Sequence, residues 1–175
     1  MKTQCHNPYL PLWEHIPDGE PHVFEDRLYV FGSHDLENGN EFCEQDYVSW
    51  SAPLDDLSDW RYEGVIYRKD QDPYNVNVLP LYAPDVVQGR DGRYYLYYCI
   101  KFQDSINVAV CDTPAGQYEF YGRVQYKDGQ TMMENQTYDP SVICTEEGNF
   151  LYFGFAPCMI NIPRYKDQDL KGVSV

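Results

Sequence analysis

Three carboxylic acid residues stand beside proline, each ahead of an apolar stretch, and these are the residues with which the chain could do chemistry. They are Glu20, Asp85 and Asp139, separated by 65 and then 54 residues. If successive structural units bring such groups to one cavity, one carboxyl can protonate a leaving oxygen while another activates a water or attacks the substrate. Cleavage of a glycosidic bond needs such a pair, held in different environments so that their pKa values differ. The spacing therefore predicts a candidate hydrolytic site.

The adjoining prolines support two interpretations. Proline fixes the backbone angle φ, which stiffens the approach and helps to place a neighbouring side chain accurately. Asp-Pro pairs also form ordinary turns. Three copies in register leave the two interpretations about equally supported, and we expect Glu20, Asp85 and Asp139 to hold equivalent positions.

The elements that must position these acids are short strands. Each acidic-proline motif runs through a polar turn into a strand-like segment, and two further strand-like segments follow the first and the second motif. The segments after the motifs are 28–31, 94–98 and 150–153; the further ones are 47–52 and 60–67, then 106–111 and 118–124. One unit is therefore four strands joined by hairpins, with segments 60–65 and 118–124 as the outermost strands. Repeats of this size built from short strands are typical of β-propellers, in which each blade needs neighbours to bury its faces.

Composition supports one globular, all-β domain. With 43% hydrophobic and 16% aromatic residues among 175, the chain can bury a substantial core. Twelve prolines and twelve glycines interrupt it too often for long amphipathic helices. We predict a β-propeller of the five-bladed type, of which this chain holds about two and a half blades.

The net charge of −15 argues against nucleic acid and anionic membranes as partners, because binding to phosphates relies on lysine and arginine. No stretch approaches the roughly 20 apolar residues of a membrane helix, and residues 1–12 lack the pattern of a signal peptide. The expected location is cytoplasmic. The six cysteines show no CxxC spacing, so we expect reduced, structural thiols.

The number of repeats raises a problem of closure. A propeller protects its strand edges by closing into a ring, and two and a half blades cannot close. We expect the chain to be the front part of a longer protein rather than an incomplete propeller. Its open edge could also pair with another copy of the chain.

A series of motifs in fixed order resembles glycoside hydrolase family 43. The resemblance implies a five-bladed β-propeller that acts on arabinose- and xylose-containing carbohydrates. Single motifs are weak, but their order is fairly specific and extends over the whole chain, which corresponds to about the first half of the family domain. The motifs are residues 7–11, 17–21, 29–35, 56–60, 82–85, 91–98 and 138–142.

The resemblance implies hydrolysis with inversion, carried out by an Asp general base from the first blade, an Asp that orients the acid and tunes its pKa, and a Glu general acid from a later blade. The tuning position falls on Asp139 and the base position on Glu20, where the family usually has Asp before Pro. The extra methylene moves the carboxylate by on the order of 1.5 Å, whereas inversion needs an acid-to-base separation of about 6.5–9.5 Å. Asp18, on the same side of an extended strand, is a second candidate base. We favour Glu20 over Asp18.

Further substrate contacts are implied by the same resemblance. Tyr82 stands where the family's Trp-Ala-Pro-Asp motif has Trp, so its ring is a candidate surface for stacking on a sugar. Asp85 of this motif is expected to shape the pocket rather than to transfer protons. His34 and Asp35 could hydrogen-bond substrate hydroxyls or simply end a strand.

The general acid is not evident in the sequence. The only glutamates after Asp139 are Glu146 and Glu147, which lie in a predicted hairpin turn. The general acid is therefore expected outside this chain. The chain alone is expected to be inactive or nearly so. The alternative is a non-catalytic carbohydrate-binding domain or a remnant half-propeller. No cofactor is expected to be required. Calcium is possible in the complete domain, although it cannot be assigned to any of the four histidines (His6, His15, His22 and His34).

Overall fold

The computed structural model describes residues 7–133 and 137–154, and it confirms the prediction of an all-β chain. The elements in this part of the chain are ten strands and one 3₁₀ turn, Lys69–Gln71. The strands are β1 (Glu20–Phe24), β2 (Arg27–Phe31), β3 (Tyr47–Pro53), β4 (Arg61–Tyr67), β5 (Leu81–Gln88), β6 (Tyr94–Ile100), β7 (Ile106–Cys111), β8 (Glu119–Arg123), β9 (Ser141–Thr145) and β10 (Gly148–Tyr152).

The strands form antiparallel meanders in sequence order. Strands β1 to β4 make one four-stranded sheet, blade 1; β5 to β8 make a second, blade 2; β9 and β10 form a hairpin, the third unit. The four-strand unit inferred from the repeats is confirmed, with β4 and β8 as the outermost strands of their sheets. Pairing runs through tight turns, as between Phe24 and Arg27.

The core lies between the units, because alternate side chains of each strand point to one face of its sheet. Blade 1 contributes Phe31 and Tyr47 to a buried cluster that blade 2 completes with Leu81 and Leu96. A second cluster joins blade 2 to the hairpin, and Val142 of β9 belongs to it. The two clusters stack the sheets face to face.

The first strand of each unit lies innermost. Strand β5 contacts both β1 and β9, the first strands of the neighbouring units. This is the arrangement of propeller blades around an axis. The described residues contain two whole blades and the first hairpin of a third, and they do not close a ring.

Four cysteines lie in the described part of the chain (Cys43, Cys99, Cys111 and Cys144), and all four are free thiols, as predicted. Cys5 and Cys158 lie outside the described residues. Within residues 7–133 and 137–154, no helix has the length and apolarity needed to cross a membrane.

Candidate active site

The expected equivalence of Glu20, Asp85 and Asp139 is wrong. Glu20 is the first residue of β1, Asp85 is the fifth residue of β5, and Asp139 lies two residues before β9. The proline precedes Asp85 but follows the other two acids, and β5 carries an irregularity in register between Tyr82 and Asp85. The residue that matches Asp139 is Asp18, which lies two residues before β1.

Asp18 is held at the end of blade 1 by a hydrogen-bond chain that reaches blade 2. Its Oδ1 accepts the Ser33 backbone N–H and its Oδ2 accepts the Ser33 hydroxyl, both at 2.6 Å. The Ser33 oxygen in turn accepts the Ala83 N–H at 2.7 Å. The carboxylate is thus fixed in orientation, although Asp18 remains exposed.

Gly32 allows the segment that carries Asp18 to lie close to the end of β2. A Cβ at position 32 would contact Ile16 and would lie 3.0 Å from the Gly19 Cα and 3.2 Å from the Asp18 Oδ1. Only glycine fits such a close approach of two backbone segments.

Asp139 faces the same region from the third unit. Its backbone N–H hydrogen-bonds the Cys99 thiol, which donates to the Tyr82 carbonyl over 3.5 Å. Partial burial raises the pKa of Asp139, and the charge of Asp18 adds to the shift. Asp139 as a whole nevertheless remains exposed to solvent. Asp139 has φ of 51°, a left-handed conformation that is uncommon for a non-glycine residue.

Tyr82 is linked to the partners of both acids: the N–H of its neighbour Ala83 donates to Ser33, and its own carbonyl accepts the Cys99 thiol. Its carbonyl accepts the Tyr47 hydroxyl at 2.9 Å. Burial raises the pKa of the Tyr82 hydroxyl to about 12, and Cys43 and Glu41 add to the shift. The ring is half-buried, and its stacking role stays a prediction.

Glu20 is not drawn into this arrangement. It is exposed, and its side chain makes no hydrogen bond or ion pair with any residue that the structure describes. The carboxylate whose charge acts on Asp139 is that of Asp18. The structure therefore brings together Asp18, Asp139 and Tyr82 but leaves Glu20 outside their contacts.

Asp85 joins the innermost strands of all three units. Its Oδ1 lies 2.6 Å from the His22 Nε2 of β1 and accepts the N–H of Val86, and its Oδ2 accepts the N–H of Val142 in β9 at 2.6 Å. A carboxylate oxygen only accepts, so the imidazole nitrogen is the donor. Asp85 is only 2% exposed.

His34 and its neighbours form a second buried network. His34 Nδ1 donates to the Asp46 carbonyl at 2.8 Å, and its Nε2 lies 2.7 Å from the Glu14 carboxylate. Glu14 also accepts the Trp50 indole N–H at 2.7 Å. Both ring nitrogens of His34 are thus engaged by protein atoms. Asp35 accepts the Cys43 N–H at 2.7 Å and thereby shapes the loop beside Tyr82.

Comparison with known proteins shows the family to which this chain belongs. The family model described as glycosyl hydrolases family 43 matches residues 22–171, most of the chain. The chain belongs to glycosyl hydrolase family 43.

Relatives within family 43 resemble this chain in sequence and in fold. A xylosidase/arabinosidase of Thermoclostridium stercorarium is 57% identical over 90% of this chain. A family 43 β-xylosidase/α-arabinofuranosidase from a compost metagenome, solved with xylotriose, superimposes with a TM-score of 0.65 at 27% identity over 86% of this chain. A family 43 enzyme of Xanthomonas citri, solved with xylose, gives a TM-score of 0.65 at 28% identity over 83% of this chain.

The family 43 chain described here spans only part of these proteins. The alignments cover 34% of the Thermoclostridium stercorarium protein, 46% of the compost enzyme and 41% of the Xanthomonas citri enzyme. Glu146 and Glu147 occupy the turn between β9 and β10, at the end of β9 away from Asp139. Among the described residues, no three carboxylate, imidazole or thiol groups converge as a metal site, and calcium in the complete domain stays a prediction.

Sequence reasoning missed two contributors to this family 43 site. Ser33 fixes Asp18, and Cys99 connects Tyr82 with Asp139. Ser33 belongs to the Gly-Ser-His-Asp run, in which only His34 and Asp35 were predicted as substrate contacts. No local signal marks Cys99, because its role depends on contacts with two other segments.

Proposed function

We propose that this chain supplies the first part of a catalytic domain that hydrolyses O-glycosidic bonds of xylose- or arabinose-containing carbohydrates with inversion. The observation that carries this proposal is the convergence of Asp18 and Asp139 from equivalent positions of two units. The names of the relatives and the sugars in the solved structures support the substrate class.

In the proposed reaction, Asp18 rather than Glu20 is the general base. A water between Asp18 and the sugar gives its proton to the Asp18 carboxylate as its oxygen attacks the anomeric carbon. The general acid gives its proton to the departing oxygen, and the configuration inverts. The two hydrogen bonds from Ser33 support this role because they hold the Asp18 carboxylate in one orientation.

Asp139 is proposed to orient the general acid and to tune its pKa. The acid itself is proposed to lie outside the described residues, since Glu146 and Glu147 sit at the far end of β9. The isolated chain is accordingly expected to show no more than traces of hydrolysis. Tyr82 is proposed to stack on the sugar, while Asp85 and His34 are proposed to hold the scaffold rather than the substrate.

The open face of the third unit supports a requirement for further blades. Ile143, Phe150 and Tyr152 lie on one face of the β9–β10 hairpin and are 52%, 39% and 50% exposed. We propose that later blades of a family 43 domain cover this face. Self-association of the isolated chain through it is a further proposal, and light scattering during size exclusion would detect it.

A chimera tests the proposed function. Residues 1–175 would be joined to the remaining part of the Thermoclostridium stercorarium relative and assayed on nitrophenyl xyloside and arabinofuranoside. We expect turnover, and NMR of the first-formed sugar should show that the anomeric configuration is inverted. Asp18→Asn should lower kcat by about 10²- to 10⁴-fold, whereas Glu20→Gln should leave it within a few fold.

Two results would contradict this assignment in different ways. A folded chimera without turnover on either substrate would remove the proposed activity. If Asp18→Asn keeps full activity and Glu20→Gln loses it, Glu20 is the general base.

A further inference from the structure

Phe102, in the loop between β6 and β7, presents a large apolar side chain to solvent. It is 80% exposed. Its backbone φ is 63°, in the left-handed region, which is unfavourable for a residue with a bulky side chain. Strained conformations of this kind persist where surrounding contacts enforce them, and they cluster at ligand-binding sites.

The Phe102 loop is fixed to blade 1 by an ion pair. The Lys101 ammonium contacts the Glu41 carboxylate, and it also lies 4.9 Å from the centroid of the Phe102 ring. Lys101 is mostly covered, with 18% of its side chain exposed. The cation–π contact and the ion pair therefore hold the ring in place while most of it stays open.

The same loop contacts the candidate active site. The Phe102 backbone N–H hydrogen-bonds the Tyr138 hydroxyl, and Tyr138 directly precedes Asp139. Tyr138 and Glu41 both act electrostatically on Tyr82. Phe102 thus shares its neighbours with the proposed sugar-stacking residue.

We propose that Phe102 forms a second sugar-binding subsite, which stacks against the unit next to the sugar held at Asp18 and Asp139. This inference rests on the proposed function, and it specifies an oligosaccharide of neutral pentoses rather than a free monosaccharide. An aromatic ring offers an apolar surface to the C–H face of a sugar while the hydroxyls stay in water.

The charges around Phe102 favour a neutral ligand. Lys101 is already paired with Glu41, so it offers no unpaired cation to a phosphate or a uronic acid. The net charge of −15 also repels polyanions. A neutral sugar meets neither obstacle.

The test measures binding of xylose and of xylotriose to the 175-residue chain by calorimetry. We expect the wild type to bind xylotriose more tightly, and Phe102→Ala to weaken xylotriose about tenfold while xylose is unchanged. Phe102→Trp should keep the preference. Phe150→Ala, which removes another exposed phenylalanine, serves as the matched control and should change neither affinity.

A second variant separates binding from stability. Phe102→Gly removes both the ring and the left-handed strain, so it should raise the melting temperature and still abolish the preference for xylotriose. An unchanged preference in Phe102→Ala and Phe102→Gly would overturn the subsite and leave the proposed function standing. Failure of the wild type to bind either sugar would also overturn the subsite, and together with an inactive chimera it would overturn the proposed function itself.

Discussion

At the scale of single residues, the site is organised by one serine and one cysteine that have no catalytic chemistry of their own here. Ser33 fixes the Asp18 carboxylate through both of its oxygens. Cys99 links the Tyr82 carbonyl with the Asp139 backbone. Burial raises the pKa of the Cys99 thiol to about 12, which keeps it protonated at neutral pH, so that it acts as a hydrogen-bond donor rather than as a nucleophile.

Asp139 should reduce the stability of the fold at neutral pH. Its pKa is raised in the folded chain, so the folded state binds the proton more tightly than the unfolded state. Stability is lost as pH rises through the ordinary Asp range, near pH 4, toward the raised value. Asp139→Asn should therefore raise the melting temperature at pH 7 by a small amount, on the order of 1–2 °C, and should give no gain at pH 3.

Glu20→Gln is the control for this comparison, because Glu20 is exposed and outside the contacts of the site. Melting curves at both pH values would settle the matter. An equal gain at pH 3 and pH 7 would mean that the carboxyl charge is not the cause.

At the scale of elements, the entry into β1 and the end of β2 form one packed unit. The segment with Ile16, Asp18 and Gly19 lies against Gly32, and the contact leaves no room for a side chain at position 32. The close approach of this segment to Gly32 determines where Asp18 lies.

Gly32→Ala should displace the Asp18 segment. Its methyl group would overlap Ile16 and crowd the Asp18 Oδ1, so we expect a loss of about 1–3 kcal/mol in the free energy of unfolding, measured in urea. The matched control is Gly122→Ala in β8, where a Cβ would have no neighbour within 4 Å. Equal stabilities of the two variants would contradict the close packing described at Gly32.

At the scale of the whole molecule, Asp85 connects the units. It is bonded to His22 in β1 and to Val142 in β9, so that one buried carboxylate joins three innermost strands. Strand pairing stays within each sheet, so the units are joined by side-chain contacts such as those of Asp85.

Asp85→Ala should destabilise the fold. It leaves the buried N–H groups of Val86 and Val142 and the partly exposed His22 Nε2 without their acceptor, and each unpaired buried donor costs about 1–3 kcal/mol. From the two buried donors we expect a loss of about 2–6 kcal/mol in the free energy of unfolding, measured by denaturant titration. Asp91→Ala removes an exposed ion pair and should cost much less stability than Asp85→Ala. If Asp85 serves only to bind sugar, the two variants will be equally stable.

The sequence by itself determined the class of fold and most of its topology. Alternating aromatic and β-branched residues, interrupted by turns, specify short strands because side chains on a pleated sheet alternate between faces. The recurrence of that pattern predicted two four-stranded meanders and the start of a third unit, and residues such as Leu96 and Val142 were predictable as core from their strands. The candidate acids Asp18 and Asp139 were visible in the sequence as well.

Only the tertiary structure decided which acids meet. The sequence suggested equivalent positions for Glu20, Asp85 and Asp139 because each adjoins a proline. In the structure they lie at different positions relative to the first strand of their units. Whether a carboxylate lies near a second one, as Asp139 lies near Asp18, or joins three strands, as Asp85 does, depends on contacts between residues more than 50 positions apart. Local patterns carry the period of a strand, whereas the burial and pairing of a charge are set by groups that only the folded chain brings together.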